Sequence, residues 1–252
     1  MTSARRGVLV TGASRGIGAA VACAFAEQGD RVAVHYGRSR EAAVAVLADL
    51  PGDGHVLVQA DLAEAGEVRR AVDQAADELD GLDVLVNNAG VFLAHPPLTT
   101  SYDEWQTAWS DTLATNLVAA ANATFCAVPH LRARGGGAVV NVSSRGAFRG
   151  EPECPAYGAS KAGLNAFGQS MAQALGAQGI SVSTVAPGFV ETDMARRVLD
   201  GPQGDDVRGQ SPLGRVARPE EVAAAVVWLA SPEARFSTGT IVDVNGASYL
   251  RS

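Results

Sequence analysis

The chain has 252 residues, 47% of them hydrophobic and 19% charged, which fits one large α/β domain with a single buried core. Its formal net charge of −7, without a cluster of Lys and Arg, excludes nucleic acid as the main partner. The sequence shows no secretory leader and no apolar stretch of ~18 residues, and its cysteines lack metal-ligand spacing; we therefore expect a cytoplasmic protein with reduced thiols, no metal and no membrane contact.

Short apolar runs alternate with longer helical patterns along the whole chain. The predicted strands are 8–10, 32–36, 55–60, 84–86, 138–142, 181–185 and 240–244, and the predicted helices are 16–28, 40–50, 64–79, 102–134, 156–178 and 219–231. Strands that alternate with helices build right-handed βαβ units, and strands rich in Val, Leu and Ala are buried on both faces. The pattern predicts a single-domain α/β Rossmann fold over 1–252, with a seven-stranded parallel, doubly wound sheet and helices on both faces.

Residues 199–214 interrupt this alternation. They contain four glycines and follow neither a helical nor a strand period, so the sequence predicts a loop. A loop of this length in a compact domain is either functional or disordered. Because it follows the sixth strand, at the carboxyl edge of the sheet where open α/β folds bind ligands, we favour a substrate lid over a merely flexible segment.

A glycine-rich segment, Thr11-Gly12-Ala13-Ser14-Arg15-Gly16-Ile17-Gly18, joins the first predicted strand to the first helix. Glycines at such a turn let the backbone approach a pyrophosphate, and the helix N-terminus presents free N–H groups to it. The alternative is a plain tight turn, but the position at the start of an alternating fold favours dinucleotide binding. The predicted contacts are Gly12, Ser14, Arg15, Gly16, Ile17 and Gly18.

The end of the second strand indicates which dinucleotide binds. NAD-binding chains usually place Asp or Glu there to hold the ribose hydroxyls, whereas this chain has His35-Tyr36-Gly37-Arg38-Ser39. Arg38 and Arg15 would pair with an adenosine 2′-phosphate, which suits guanidinium groups; the alternative is two solvated surface arginines. The sequence predicts NADP(H) in preference to NAD(H), with Tyr36, Arg38 and Ser39 at its adenosine end.

Further motifs follow in chain order: Asn87-Asn88-Ala89-Gly90 after the fourth strand, Asn116 in the long helix, Ser144, Tyr157-Gly158-Ala159-Ser160-Lys161, and Pro187-Gly188 with the residues after it. Together with the glycine loop they resemble the short-chain dehydrogenase/reductase family, over essentially all 252 residues. Within that family the segments 185–194 and 244–246 are most similar to β-ketoacyl carrier-protein reductases. Gln173 stands where those enzymes often carry an arginine.

The resemblance implies that Asn116, Ser144, Tyr157 and Lys161 are catalytic. Tyr157 and Lys161 are spaced i, i+4 and share one face of a helix; a nearby ammonium, like the oxidised cofactor, would lower the pKa of the phenol towards neutrality. Tyr157 would protonate the alkoxide during reduction, while Ser144 would stabilise charge on the substrate oxygen. Lys161 would also hold the nicotinamide ribose. The resemblance gives Asn116 a water that links Lys161 to solvent.

Each of these residues alone has an ordinary structural explanation, such as a surface helical pair, but their joint spacing in a dinucleotide fold favours catalysis. Other cofactor contacts follow from position. Asp61 and Leu62, at the end of the third strand, would meet the adenine, although Asp61 has the alternative of capping the next helix. The contacts predicted for the ribose and the nicotinamide end are Asn88, Ala89, Gly90, Tyr157, Lys161, Pro187, Gly188, Val190 and Thr192.

These predictions describe an NADPH-dependent oxidoreductase that reduces a ketone, a 3-oxoacyl thioester or a related carbonyl, to a secondary alcohol. One alternative is an NAD(P)-dependent alcohol, sugar or hydroxysteroid dehydrogenase working oxidatively, which Gln173 favours. Another is a cofactor-binding regulator without catalysis, against which the intact Ser144, Tyr157 and Lys161 argue. A carrier protein stays open as a partner. The resemblance also implies a homotetramer or homodimer, because family members associate through the helices that carry Asn116 and Tyr157.

Overall fold

The computed structural model describes residues 5–251 of the chain. Its parallel strands form one seven-stranded sheet in the order β3-β2-β1-β4-β5-β6-β7, so the strand order reverses between β1 and β4. This confirms the predicted parallel Rossmann sheet. The strands are β1 (Gly7–Val10), β2 (Arg31–Tyr36), β3 (Val56–Gln59), β4 (Val84–Asn87), β5 (Gly137–Val142), β6 (Ile180–Pro187) and β7 (Ile241–Val244).

The α-helices connect these strands and begin or end close to the predicted residues for the longer elements. They are α1 (Gly16–Glu27), α2 (Arg40–Asp49), α3 (Ala65–Glu78), α4 (Tyr102–Leu113), α5 (Ala119–Ala133), α6 (Gly146–Arg149), α7 (Pro155–Leu175), α8 (Asp193–Leu199), α9 (Gly204–Gly209) and α10 (Pro219–Leu229). None of the helices in the described range is long and apolar enough to cross a membrane.

The sheet separates two buried apolar clusters, one on each face. Successive side chains of a strand point to opposite faces, so Val8 and Val10 of β1 pack with α1, α2 and α10, whereas Leu9 packs with α3 and α5. Helices therefore cover both faces, as the doubly wound prediction requires. The carboxyl ends of β1, β4, β5 and β6 meet at one edge of the sheet, and the candidate site is built there.

Two local predictions are corrected by the structure. The predicted helix 102–134 is not uniformly α-helical, because a π-helical turn (Ala114–Val118) separates α4 from α5. The segment 199–214 is not simply a loop, since it contains α9. Leu199, Val207 and Val216 form a small apolar cluster there with Ala195, and this packing stabilises a helix that has too few apolar residues to show a periodic pattern.

Candidate active site

The glycine loop after β1 is a tight cradle that larger residues would fill. Gly12 and Gly16 have φ values of +64° and +57°, a region that L side chains rarely adopt. A Cβ atom on Gly18 would lie 2.3 Å from the Gly12 carbonyl oxygen and 2.5 Å from Asn88 Nδ2. The loop leads directly into α1, whose first N–H groups have no intrahelical partner. This geometry fits a pyrophosphate held by backbone N–H groups.

Hydrogen bonds from the end of β4 hold the cradle in place. The hydroxyl of Thr11 accepts from the backbone N–H groups of Asn88 at 2.9 Å and Ala89 at 3.1 Å. In return, Asn88 Nδ2 donates to the carbonyl oxygens of Thr11 at 2.8 Å and Gly12 at 3.1 Å. The Asn88 amide therefore fixes the loop, and its predicted ribose contact stays a prediction.

His35, which the sequence did not single out, supports the cradle from the end of β2. Its Nδ1 accepts from the Gly12 N–H at 3.0 Å, so its Nε2 carries the proton and donates to the Ala60 carbonyl oxygen at 3.2 Å. Burial lowers the pKa of His35 to about 4, with the Ala60 bond opposing this shift. The imidazole is thus neutral at pH 7 and positions the glycine loop against β2 and β3.

The predicted adenosine end is open and carries arginines without a carboxylate at the end of β2. Arg15, Arg38 and Ser39 are exposed, whereas the predicted contacts Tyr36 and Leu62 are largely buried. Asp61 is exposed, and its Oδ1 accepts from the Ala63 N–H at 3.0 Å. The carboxylate of Asp61 therefore stabilises the turn that precedes α3. It does not cap the helix itself, because the residue at the N-cap of α3 is Glu64.

The predicted catalytic side chains converge where β5 and α7 meet. Ser144 follows β5, and its hydroxyl accepts from the Gly146 N–H at 3.0 Å. Pro155 begins α7, as suits the first helical position, and Tyr157 and Lys161 lie one turn apart on that helix. Lys161 is buried; its Nζ donates to the Val142 carbonyl oxygen at 2.9 Å and lies 5.7 Å from the centre of the Tyr157 ring.

Burial dominates the acid–base properties of Tyr157 and Lys161 in the chain itself. Burial raises the pKa of Tyr157 to about 12, an effect that the Ser144 hydroxyl reduces and the Glu151 carboxylate increases. Burial also lowers the pKa of Lys161 to about 8. Burial disfavours the phenolate in the chain itself, and the lowering expected beside the ammonium and the oxidised cofactor together stays a prediction. At pH 7 the phenol holds its proton beside a charged ammonium.

Asn116 lies in the π-helical turn and is almost fully buried. Its Oδ1 accepts from the Val91 N–H at 2.8 Å, and its Nδ2 donates to the Val91 carbonyl oxygen at 3.0 Å and to the Ser160 hydroxyl at 3.2 Å. A Cβ atom on Gly90 would lie 3.2 Å from Asn116 Oδ1 and 3.5 Å from Lys161 Nζ. The π turn thus brings Asn116 and Lys161 to the same glycine, and π turns are frequent at functional sites.

The segment after β6 closes the other side of the cleft. A Cβ atom on Gly188 would lie 3.0 Å from the Cβ of Asn245, so a glycine is needed for this close approach. Val190 is buried, so little of its side chain is accessible to a cofactor. Thr192 lies next to Gly16 of the glycine loop, and both border a cavity of about 630 Å³ between α1 and α8. The segment that begins at Pro187 therefore reaches back to the phosphate cradle.

Sequence reasoning missed further residues of the site besides His35. The ring of Phe92 packs edge-on against Tyr157, with centroids 4.8 Å apart, and lies in a segment without any periodic pattern. Arg145 is buried directly after Ser144. The unusual sequence Ser143-Ser144-Arg145, a charged residue at the end of a buried strand, was the available signal for Arg145.

Known proteins of similar sequence and fold indicate the family of the chain. The chain matches the Enoyl-(Acyl carrier protein) reductase family over residues 12–247. The chain belongs to the short-chain dehydrogenase/reductase family. This short-chain dehydrogenase/reductase is 36% identical to the 3-oxoacyl-[acyl-carrier-protein] reductase of Staphylococcus aureus (strain Mu50), over 97% of this chain and 98% of the relative. It is 38% identical to the D-threitol dehydrogenase of Mycolicibacterium smegmatis, over 96% and 92% of the two chains.

Two solved structures are similar to this short-chain dehydrogenase/reductase in both fold and sequence. The short chain dehydrogenase from Burkholderia cenocepacia, in complex with NADP, has a TM-score of 0.87 and 38% identity over 96% of this chain and 97% of that one. A dehydrogenase/reductase from Sinorhizobium meliloti has a TM-score of 0.88 and 32% identity over 98% of this chain and 96% of that one. The predicted family and enzyme class are confirmed: the protein is an oxidoreductase.

Proposed function

We propose that this oxidoreductase uses NADPH to reduce a ketone, such as a 3-oxoacyl thioester, to a secondary alcohol. The observation that carries the proposal is the placement of Tyr157 one helical turn from Lys161, whose Nζ lies 5.7 Å from the ring centre, with Ser144 at the end of β5 and the glycine cradle at the same sheet edge. Burial raises the pKa of Tyr157 to about 12, so the phenol is protonated at pH 7. A protonated phenol is the form that a reductase needs, because the alkoxide formed by reduction requires a proton.

In the proposed mechanism NADPH, when bound, supplies the hydride, and the chain's own residues orient the carbonyl and provide the proton. Ser144 and Tyr157 donate hydrogen bonds to the carbonyl oxygen and stabilise negative charge as it develops there. The Tyr157 hydroxyl then transfers its proton to that oxygen. The Lys161 ammonium stabilises the resulting phenolate and holds the nicotinamide ribose, while Asn116 keeps the Val91 backbone and the base of this pocket in place.

The first test compares initial rates of NADPH and NADH consumption with a short acetoacetyl thioester. Rapid loss of NADPH that depends on Tyr157 is the expected result. Turnover of polyols with NAD(P)⁺ but not of the thioester would favour a second candidate, an oxidative alcohol or sugar dehydrogenase. The relative named D-threitol dehydrogenase and Gln173 support that candidate. Binding of either cofactor without turnover of any carbonyl or alcohol would favour a regulator.

The preference for NADPH rests on Arg15 and Arg38, which are exposed and form no ion pair among residues 5–251. We expect Arg38→Ala to weaken NADPH binding by about 10- to 100-fold, because a charge-assisted hydrogen bond contributes about 1.5–3 kcal/mol. NADH binding, which has no 2′-phosphate to lose, is expected to change little. Fluorescence titration with both cofactors measures this, and Arg132→Ala, an exposed arginine of α5, is the matched control. Equal losses for the two cofactors would contradict the proposal.

The pKa of Lys161 predicts how reduction depends on pH. Below about pH 8 the ammonium is charged, and above it the charge is lost, whereas the Tyr157 phenol stays protonated up to about pH 12. We therefore expect kcat/KM for reduction to be constant at about neutral pH and to fall as pH rises through about 8. A pH–rate profile measures this, with Lys161→Arg as a variant that keeps its charge. A profile that stays flat well above pH 8 would mean that the ammonium charge is not needed.

We also propose a homo-oligomer, which the family resemblance implies. Val118 and Phe125 lie on the continuous helical segment formed by the π turn and α5, and they are 50% and 78% exposed. Exposed apolar side chains on one long helix fit an interface with a second copy. Light scattering in solution measures the subunit number.

A further inference from the structure

Arg145 is a buried cation whose closest partners are neutral. Only 3% of its surface is exposed. Its guanidinium donates to Gln210 Oε1 and to Ser248 Oγ, both at 2.6 Å, and lies 5.0 Å from the centre of the Phe189 ring. Among residues 5–251, no carboxylate lies within ion-pair distance of it. A guanidinium cannot give up its proton, so burying one without a counter-charge is costly.

A second guanidinium points at the same neutral oxygen. Arg149 Nη1 lies 3.4 Å from Gln210 Oε1, so two cations share one amide acceptor. Burial lowers the pKa of Arg145, and the nearby Arg149 charge lowers it further. A carboxylate or phosphate oxygen accepts from two guanidinium groups far better than an amide oxygen does. The arrangement therefore suits an anion at the position of Gln210 Oε1.

The carboxylates around Arg145 are engaged elsewhere or lie outside ion-pair range. A cavity of about 210 Å³ borders Arg145 and is also lined by Glu221 and Asp243. Glu221 pairs with Arg215 at 2.6 Å, and Asp243 pairs with Arg251 at 2.8 Å. Glu151 faces both Arg145 and Arg149, and burial raises its pKa. Arg145 thus remains the unmatched charge of the cavity lining.

The two arginines lie beside the catalytic residues. Arg145 directly follows Ser144, and Arg149 ends α6, the helix that begins at Gly146, whose N–H binds the Ser144 hydroxyl. The Glu151 carboxylate lies against Gly146, since a Cβ atom there would lie 2.6 Å from Glu151 Oε1. Gln210 follows α9 in the segment predicted to contact substrate, and its side chain is exposed, so its amide can exchange the arginine bonds for solvent or an anion. An anion held at this position would be bound by residues of the same short segment, 144–149, that carries Ser144.

We infer that Arg145, Arg149 and Gln210 form an anion subsite that binds a carboxylate or phosphate group on the substrate. This inference rests on the proposed function and specifies its substrate as a ketone with an anionic arm. When the anion binds, Gln210 turns its amide and donates to the anion instead of accepting from the arginines. Arg145, held by Ser248 and Phe189, stays in place and sets the position of the anion relative to Ser144.

The kinetic test uses methyl ketones that end in a carboxylate, in a series of increasing chain length, each beside its methyl ester. The wild-type protein is expected to prefer the acid over the ester by about tenfold in kcat/KM at one chain length, through KM. Arg149→Gln should abolish this preference. Gln210→Glu should abolish it too, because the new carboxylate occupies the subsite while keeping Arg145 paired. Arg70→Gln, an exposed residue of α3, is the matched control and should keep the preference.

A second readout does not need turnover. In protein saturated with NADP⁺, butyrate should raise Tm more than butyramide does, and the difference should vanish in Arg149→Gln and Gln210→Glu. If no ketone is reduced but this difference persists, the proposed function fails and the subsite stands. Equal kinetics for acid and ester at every chain length, or a preference that survives in both variants, would overturn the inference. Stabilisation by inorganic phosphate without any acid preference would make it a free-ion site and overturn the substrate assignment.

Discussion

Replacing Tyr157 with Phe is expected to lower kcat for ketone reduction by about 1,000-fold, within the range that general acid catalysis contributes. The substitution removes only the hydroxyl, which supplies both the proton and one of the two hydrogen bonds to the carbonyl oxygen. The ring keeps its edge-on contact with Phe92 at 4.8 Å and its position 5.7 Å from Lys161 Nζ. Because the phosphate cradle lies on other elements and only one of many predicted cofactor contacts loses a hydroxyl, the dissociation constant for NADPH should change little.

Two controls make this result specific. Tyr102→Phe alters a tyrosine that is 75% exposed at the start of α4 and should leave kcat unchanged. Ser144→Ala should also reduce kcat, because Ser144 donates to the same oxygen, and in the double variant the two losses should combine to less than their product. Initial rates and fluorescence titration of NADPH measure both quantities. Substantial reductase activity in Tyr157→Phe would mean that another group supplies the proton.

Much of the fold follows from local sequence because buried parallel strands are continuous apolar runs. Prediction and structure agree for the interior of β6, but the strand extends from Ile180 to Pro187 rather than over 181–185. The additional residues pair with the neighbouring strands: Ile180 lies opposite Gly137 of β5, and Pro187 lies opposite Val244 of β7. Strand ends depend on such partners, which a run of apolar residues does not reveal.

Site residues that belong to a sequence motif were predictable. Features of the site that depend on packing between distant segments were not. Gly12, Gly18, Ser144, Tyr157 and Lys161 occupy fixed spacings, and the structure brings them to one sheet edge. The π turn around Asn116 has no local sequence pattern that distinguishes it from an α-helix. The effect of burial on the pKa of Tyr157 was also out of reach, because burial is a property of the packed molecule and not of the local sequence.

The role of His35 could not be predicted from local sequence, because its two hydrogen-bond partners lie 23 and 25 residues away from it along the chain. It reads as an ordinary strand residue, yet it links the Gly12 N–H to the Ala60 carbonyl. His35→Leu would leave both buried groups unpartnered. We expect this variant to lose about 2–4 kcal/mol of the free energy of unfolding at pH 7.5, above the His pKa range, and to bind NADPH more weakly because the glycine loop is loosened.

The neutral state of His35 also makes folding depend on pH. An unfolded histidine takes up its proton near pH 6.5, whereas the folded protein resists protonation until about pH 4. The stability from His35 is therefore complete above pH 6.5 and is lost as pH falls towards 4, by about 3 kcal/mol in total. Urea unfolding across this range measures the loss in the wild type and in His35→Gln, whose amide can accept and donate without titrating. The variant should lose about 3 kcal/mol less than the wild type between these limits; identical pH dependence would mean that His35 is protonated in the folded protein well above pH 4 and that its hydrogen bond to Gly12 is not what fixes the cradle.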